Sequence, residues 1–390
     1  MVNHVNAKET KKTMTVFSLA SFLNDFGSDM IYPIWPLFVL SFFGVDKTIL
    51  GFIDGLGDAL VSVSQAISGY FSDKTGKRKI FIWTGYLFGS SSRIGYALSS
   101  QWQHLVPFKI LDRSGKMRGA PRDAIVADVS TNENRGTHFG LLRAMDNLGA
   151  ACGIITCILL VNFLGYTNLF LLASIPSVIA AILVILFIKD KKTERIFKGI
   201  SFRDLTFNFK LFLLLSAIFA IGSFSYSFLL IFAQSAGFQT ALVPILYLVF
   251  TVVASLMSLP FGKLADIAGR KLVMILSYVI WTLMCAGFIL VESLVGIALL
   301  FVLYGLHRGA IEPVQKTLVS ELSPERYRAS MLGAFQLVVG ICALPASLVA
   351  GFLWDAFGKF APFILSLGLA TVATVLMFFV KDTHQGKRLT

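Results

Sequence analysis

Charged side chains interrupt the apolar stretches of this chain, and they are concentrated in its first half. An ionisable side chain in a long apolar helix costs on the order of 2.5–3.5 kcal/mol, so each one needs a partner, water or a function. Acids and bases are equally represented, so the set can bind groups of either sign. The acids are Asp25, Asp29, Asp54, Asp58, Asp112, Asp123 and Asp146, and the bases are Arg93, Lys109, Arg113, Lys116, Arg118, Arg122 and Arg143.

These charges fall at three depths when the apolar stretches are treated as helices rising about 1.5 Å per residue. Asp25 and Asp29 are four residues apart, as are Asp54 and Asp58, so each pair shares one helix face. The upper tier contains Asp29, Asp54, Arg93 and Lys109. The middle tier contains Asp25, Asp58, Asp112 and Arg113. The lower tier contains Lys116, Arg118, Arg122, Asp123, Arg143 and Asp146.

Two interpretations of this ladder compete. Buried acids and bases usually pair, which makes intrabundle ion pairs the structural alternative for Arg118, Arg122, Asp123, Arg143 and Asp146. Alternatively, the upper and middle tiers face water, where the bases hold an anionic group and the acids a cationic one or a proton. The candidate substrate-binding or coupling residues of this half are Asp25, Asp29, Asp54, Asp58, Arg93, Lys109, Arg113 and Lys116.

The second half contains far fewer such groups. Arg308, Glu312 and Lys316 stand at successive steps of four on one predicted helix, where local neutralisation competes with ligand binding. His307 lies near the middle of the same helix beside Tyr304, and an imidazole can titrate near neutral pH. Tyr304, His307 and Glu312 complete the candidate site, although a lone histidine is as often a packing residue.

The composition requires a membrane setting for these residues. The chain has 390 residues, 56% of them hydrophobic and 14% charged, with a mean hydropathy of +0.75. About 20 apolar residues cross a bilayer as a helix, and twelve such stretches are present. The first is too long and too interrupted by acids for a cleavable signal peptide. The predicted spans are 15–43, 48–71, 80–99, 104–128, 137–164, 169–188, 209–236, 242–264, 272–291, 294–320, 329–354 and 362–380.

The net charge of +12 reflects topology rather than nucleic-acid binding. Most Lys and Arg residues outside the spans fall on one side, in the N-terminal tail, the segment after the second span and the stretch between the sixth and seventh spans. Only Lys47 and Lys359 lie in loops on the other side. The positive-inside bias therefore predicts a multi-pass protein of the cytoplasmic (inner) membrane, with both termini in the cytoplasm.

A polar motif occurs twice, and every matched pair is separated by 193 residues. Asp128 and Glu321 have the same separation, which indicates an internal duplication. A charged stretch, 189–209, divides the chain into an N-terminal six-helix bundle, 1–188, and a C-terminal one, 210–390. The paired motif residues are Gly69, Asp73, Gly76 and Lys77, matched by Gly262, Asp266, Gly269 and Arg270.

Six plus six spans, a charged middle stretch and the repeated motif together resemble the major facilitator superfamily of secondary transporters. The resemblance implies an all-α membrane protein of twelve transmembrane helices in two six-helix bundles related by pseudo-two-fold symmetry. It also implies alternating access to a midplane site. The eight motif residues would then form a conformational latch. The fourth span departs from the common proton-coupled pattern, since Met117 stands where a glycine is usual.

These observations predict secondary active transport of a small charged or zwitterionic solute, such as an amino-acid-like compound or a metal chelate, coupled to protons. The first alternative is proton-driven efflux of cationic or amphipathic drugs. A non-transporting membrane receptor with the same fold is the second. No nucleophile constellation, nucleotide-binding loop or metal-ligand spacing is recognisable, so we expect no enzyme, cofactor or metal site. The expected partners are the solute, protons and membrane lipid, for a monomer that binds no nucleic acid.

Overall fold

A computed structural model describes residues 7–130, 135–189, 205–323 and 328–381 of the chain. Nearly all of these residues are helical, and no strand occurs among them. In the first half the helices are α1 (Ala7–Asp29), α2 (Trp35–Leu37), α3 (Lys47–Thr75), α4 (Arg78–Leu98), α5 (Trp102–Ser114), α6 (Gly119–Asp128) and α7 (Arg135–Phe187). In the second half they are α8 (Phe207–Gly222), α9 (Tyr226–Ser235), α10 (Val243–Ala268), α11 (Arg270–Leu290), α12 (Leu294–Leu322), α13 (Arg328–Phe357) and α14 (Ala361–Met377).

Three predicted spans are built from more than one helical segment. The first continues from α1 through α2 into a π-helical turn, Phe38–Phe42, and the fourth joins α5 to α6 through a 3-10 turn, Gly115–Arg118. The seventh is divided into α8 and α9. In contrast, α7 contains both the fifth and the sixth spans, which separate at Gly165, where φ is +65°.

The helices correspond to the twelve predicted spans, and the all-α membrane fold is confirmed. Seven stretches of the described helices are long and apolar enough to cross a membrane by length and composition alone. One of them, Leu141–Phe187, contains the break at Gly165 and so holds two predicted spans. Three of the remaining spans belong to the first half, whose helices carry the charged residues, and the last is α14, which is apolar but has only 17 residues.

Two compact units make up the chain. The first contains Met1–Phe43 and Leu60–Lys198, and the second contains Gly44–Ala59 and Gly199–Thr390. The first part of α3 therefore packs within the second unit. The division into bundles 1–188 and 210–390 stays a prediction, and residues 190–204 of the predicted linker lie outside the described residues.

Within the first unit, α1 packs closely against α7. A methyl group on Gly149 would lie 2.3 Å from the carbonyl oxygen of Phe22, and one on Gly153 would lie 2.3 Å from that of Phe26. These two glycines permit the backbones of α1 and α7 to approach each other closely. A buried core of Phe17, Tyr86, Val126, Leu142, Ala180 and Val184 lies beside this contact. The charged residues are thus held by tightly packed helices.

Aromatic side chains dominate the interior of the second unit. Phe232 contacts Phe288 and Phe363, with ring centroids 5.1 and 5.3 Å apart, and both contacts are close to edge-on. Trp281 is buried, and its indole nitrogen donates to Ser366 at 2.8 Å. This interior contrasts with the ion-rich first unit and agrees with the scarcity of predicted charges in the second half.

The repeated motif forms similar turns in the two units. Gly76 and Gly269 both adopt positive φ, +66° and +98°, a conformation that favours glycine. Each turn is followed by an arginine that pairs with the acid ending a later span: Arg78 with Asp128 at 2.5 Å, and Arg270 with Glu321 at 2.9 Å. These pairs connect the start of one span to the end of the next within each unit.

Of the two acids in the repeated motif, the structure describes the side chain of Asp266 only. Asp266 is 70% exposed and pairs with Arg270 at 3.0 Å. The side chain of Asp73 lies outside the described part of the chain. The latch of Gly69, Asp73, Gly76, Lys77, Gly262, Asp266, Gly269 and Arg270 therefore stays a prediction.

Candidate functional site

A polar cavity of about 190 Å³ lies inside the first unit. Residues from α1, α3, α4, the 3-10 turn, α6 and α7 line it. Four of its side chains are bases and two are acids, so the cavity carries a formal charge of about +2 at neutral pH. Its lining is Ser21, Asn24, Asp25, Gln65, Tyr86, Lys116, Arg118, Gly119, Arg122, Arg143 and Asp146.

Arg122 forms the densest set of contacts in this cavity. Its Nε lies 3.0 Å from a carboxylate oxygen of Asp123, and one terminal nitrogen lies 3.7 Å from Asp146. The same nitrogen donates to the Ser21 hydroxyl at 2.7 Å. Arg122 thus connects α6 to both α1 and α7. The two carboxylates more than neutralise this one guanidinium, so the positive charge of the cavity comes from Lys116, Arg118 and Arg143.

Lys116 is the cavity cation with the fewest contacts. Across the described ranges, its ammonium group forms no hydrogen bond or ion pair, although it is only partly exposed. The neighbouring Arg118 is instead held in place, since it donates to the Gly115 carbonyl at 2.8 Å and its guanidinium lies 5.2 Å from the Tyr86 ring centre. Lys116 can therefore offer its hydrogen-bond donors to a ligand.

Asp25 supplies negative charge to the same cavity. Its carboxylate accepts a hydrogen bond from the Asn24 amide at 2.7 Å, and the Asn24 carbonyl oxygen accepts from Ser177 at 3.2 Å. This arrangement fixes the orientation of Asp25 through α1 and α7. Because Lys116 and Asp25 line the same cavity, the site presents both signs of charge to a small molecule.

Arg93 lies deeper and has neutral partners. The residue is 2% exposed, and its guanidinium donates to the Ala173 carbonyl and the Ser177 hydroxyl at 2.7 and 2.8 Å and to Ser28 at 2.7 Å. These bonds connect α4 to α1 and α7. Arg93 therefore cross-links these helices, and its role in ligand binding stays a prediction.

Lys109 and Arg113 both contact aromatic rings. The Lys109 ammonium lies 4.0 Å from the centre of the Trp35 ring, and Arg113 lies 5.0 Å from the Tyr32 ring centre. Arg113 also donates to the Tyr32 hydroxyl at 3.2 Å and lies 3.6 Å from Asp112. Such cation–π contacts stabilise a cation away from water. Asp29 is also buried, at 9% exposure.

Asp54 belongs to the second unit rather than to the upper tier of the first. Its carboxylate accepts hydrogen bonds from the hydroxyls of Ser225 and Ser227 at 2.9 and 2.5 Å, and the residue is 5% exposed. Nearby, Thr48 donates to Asp355 at 2.8 Å, and a methyl group on Gly51 would lie 2.0 Å from the Ser347 carbonyl oxygen. The start of α3 is thus hydrogen-bonded to the start of α9 and packed against α13.

We predict that replacing Asp54 with alanine loosens this attachment. The two serine hydroxyls would lose a charged acceptor, and a hydrogen bond to a charged group contributes about 1.5–3 kcal/mol. Amide hydrogen exchange in residues 47–59 should therefore accelerate by about tenfold. The exposed acid Glu292 provides a control, because Glu292→Ala should leave that exchange unchanged. Equal exchange in Asp54→Ala and the unmodified protein would show that the hydroxyl contacts do not hold this segment.

The predicted residues of the tenth span lie in different surroundings from one another. His307 is 3% exposed, and its Nδ1 lies 2.9 Å from both the hydroxyl and the carbonyl oxygen of Ser277. Tyr304 is buried against Phe250, with ring centroids 4.8 Å apart. Glu312 is more exposed and accepts a hydrogen bond from Arg308 four residues earlier. Their roles in binding stay predictions.

Several residues of the site were not predicted from the sequence. Ser21, Asn24, Gln65 and Tyr86 line the cavity of the first unit, and Ser225 and Ser227 are the partners of Asp54. Uncharged polar residues give no charge signal within an apolar span. The cluster of serines at 223–227 was the available indication, since it interrupts the most apolar part of the seventh span.

The helical spans of the described residues, with a charged cavity in the first unit, are the architecture of a multi-span solute-transport protein. The sequence model of the Major Facilitator Superfamily matches residues 17–247 and 211–390. The chain therefore belongs to the Major Facilitator Superfamily, as the resemblance indicated.

Relatives agree with this membership. An uncharacterized MFS-type transporter of Methanocaldococcus jannaschii is 36% identical over 390 residues, covering 97% of each chain. A multi-drug resistance efflux pump of Streptococcus pneumoniae is 25% identical over 339 residues, covering 81% of this chain and 82% of its own. The crystal structure of a bacterial homolog of the human lysosomal transporter Spinster, in an inward-facing and occupied conformation, has a TM-score of 0.78 at 14% identity and covers 96% and 97% of the two chains.

Proposed function

We propose that this transporter carries a small anionic or zwitterionic solute by alternating access. The observation that carries the proposal is the cavity of the first unit, which combines four bases with two acids. A carboxylate or phosphate of the solute would bind Lys116 and the neighbouring guanidinium groups, since charge-assisted hydrogen bonds are the strongest available to it. An amino group would bind Asp25 or Asp146. Amino-acid-like compounds and metal chelates have this distribution of charge.

Proton coupling is part of the proposal. Asp25 and Asp146 line one cavity with Arg122 and Lys116, so protonation of either carboxyl group would change the charge that the solute meets. A carboxyl group whose protonation changes when the solute binds links the two gradients.

A direct test uses the purified protein in two formats. A thermal-shift screen against amino acids, organic acids, metal chelates and cationic drugs identifies the solute class, because a ligand of the folded state raises the melting temperature. The solute that stabilises most is then followed into proteoliposomes with and without an imposed pH gradient. We expect an anionic or zwitterionic solute to accumulate with the gradient. Saturable solute exchange that does not depend on pH would support the transport part of the proposal and contradict proton coupling.

Efflux of cationic or amphipathic drugs is the second candidate. The pneumococcal relative named as a multi-drug efflux pump is the observation that favours it. The surplus of bases in the cavity argues against a cationic solute, because four positive groups repel it while two acids attract it. Stabilisation by cationic drugs, with none by anions or zwitterions, would replace the first proposal with this one.

A further inference from the structure

A second cavity, of about 270 Å³, lies where four segments of the first unit end or begin. It is formed by the start of α1, the start of α4, the end of α6 and the end of α7. An open groove of about 460 Å³ adjoins it and shares Lys8, Lys12 and Phe187 with it. None of these residues lines the cavity assigned above to the solute.

The cavity has a surplus of positive charge. Arg78 and Asp128 neutralise each other at 2.5 Å, and Arg78 is 4% exposed. The other charged residues of the lining are Lys8, Lys12 and Lys189 against the single acid Glu9, which gives a formal charge of about +2. Lys11 adds a further positive charge on the wall of the groove. An anion is therefore the complementary occupant.

The groove next to these charges is suited to an apolar chain. The Lys12 ammonium lies 5.2 Å from the Phe187 ring centre, so the lysine stem and the ring form one wall. Residues 8, 12, 15 and 19 share a face of α1, on which Leu19 is 41% exposed. That face thus passes from lysines to exposed apolar surface in about three helical turns. Leu186, next to Phe187, is 67% exposed.

We propose that this cavity and groove bind an anionic phospholipid from the leaflet on the positively charged side of the protein. The phosphodiester occupies the cavity beside Lys8, Lys12 and Lys189, and an acyl chain follows the groove along Val16 and Phe187. Pockets lined by basic side chains between membrane spans bind the anionic headgroups of lipids. The chain's own segment 190–204 is a poorer occupant, because it too carries more bases than acids. The site is independent of the transported solute.

The test measures lipid retained by the full-length protein in native mass spectrometry. The protein is released from nanodiscs that contain equal amounts of phosphatidylglycerol and phosphatidylcholine, which share a phosphate but differ in net charge. We expect phosphatidylglycerol to be retained preferentially. Lys8→Gln with Lys12→Gln should weaken this retention by roughly fivefold for each charge removed, following the attraction of surface lysines to anionic lipid.

Three controls make the outcome decisive. Lys8→Arg with Lys12→Arg should preserve retention, since the charge stays, and Lys210→Gln removes an exposed lysine outside the cavity and should have no effect. Unchanged retention in the double glutamine variant, or equal retention of the two lipids, would overturn the proposal. Displacement of the bound lipid by soluble glycerol phosphate at equal concentration would also overturn it, because the anionic group alone would then account for binding.

Discussion

Replacing Lys116 with glutamine should weaken solute binding by about 10- to 100-fold while leaving the fold intact. Lys116 lines the cavity and, within the described part of the chain, gives its hydrogen bonds to no other side chain. A hydrogen bond to a charged group contributes about 1.5–3 kcal/mol, which corresponds to that range of dissociation constants. Binding is measured calorimetrically with the solute that stabilises the protein most in the thermal-shift screen.

The controls separate binding from folding. Lys116→Arg retains the charge and should keep most of the affinity, whereas Lys74→Gln removes an exposed lysine outside the cavity and should change nothing. The melting temperature without solute should not fall in Lys116→Gln, because the ammonium group supports no neighbour. Unaltered affinity in Lys116→Gln would exclude this lysine from the binding site, whatever solute is carried.

The fold was largely predictable because its causes are local to the sequence. A stretch of about 20 apolar residues is sufficient to specify a span, and each of the twelve predicted spans corresponds to helix in the structure. The breaks were harder to predict. The division of the seventh span at residues 223–225 depends on Ser225, whose side chain caps α9. The 3-10 turn at Gly115–Arg118 depends on close contact between Gly115 and Gly85.

The depth of a residue along its helix did not predict which residues lie together in the site, although the number of spans did predict the fold. Asp54 and Arg93 were predicted at one depth in one bundle, yet Asp54 binds serines of the second unit and Arg93 binds Ser28, Ser177 and a carbonyl group of the first. Depth gives the height of a residue but not the direction in which it points. The rotation of a helix about its own axis is set by its packing against other helices, and a single sequence does not give that packing.

The lower tier also shows that sequence position alone did not separate structural residues from cavity residues. Arg118, Arg122, Arg143 and Asp146 were interpreted as intrabundle partners, and they line the cavity together with Asp25 and Lys116. A wet cavity and an ion-pair network need the same residue types, so composition does not separate them. In this unit the two coincide, since Arg122 pairs with acids and also faces the cavity.

The second large effect is expected from Arg122→Met. This change leaves Asp146 without the guanidinium that lies 3.7 Å from it, and removes the donor to Ser21. Breaking a buried ion pair by removing one partner costs about 3–5 kcal/mol, and we expect the lower end because both side chains retain some exposure, 17% and 13%. The melting temperature of the purified protein should fall by several degrees, and transport should be lost.

A double replacement distinguishes a structural pair from a direct role in binding. Arg122→Met combined with Asp146→Asn removes both charges, so it should recover most of the melting temperature, because the uncompensated carboxylate is gone. Asp146→Asn alone is the reference, because Asp146 is itself a candidate for binding the solute's amino group. Transport that survives in Asp146→Asn and stays absent in the stable double variant assigns Arg122 to solute binding. Recovery of transport along with stability would assign Arg122 to the support of the cavity alone, and leave Lys116 as the cation that meets the solute.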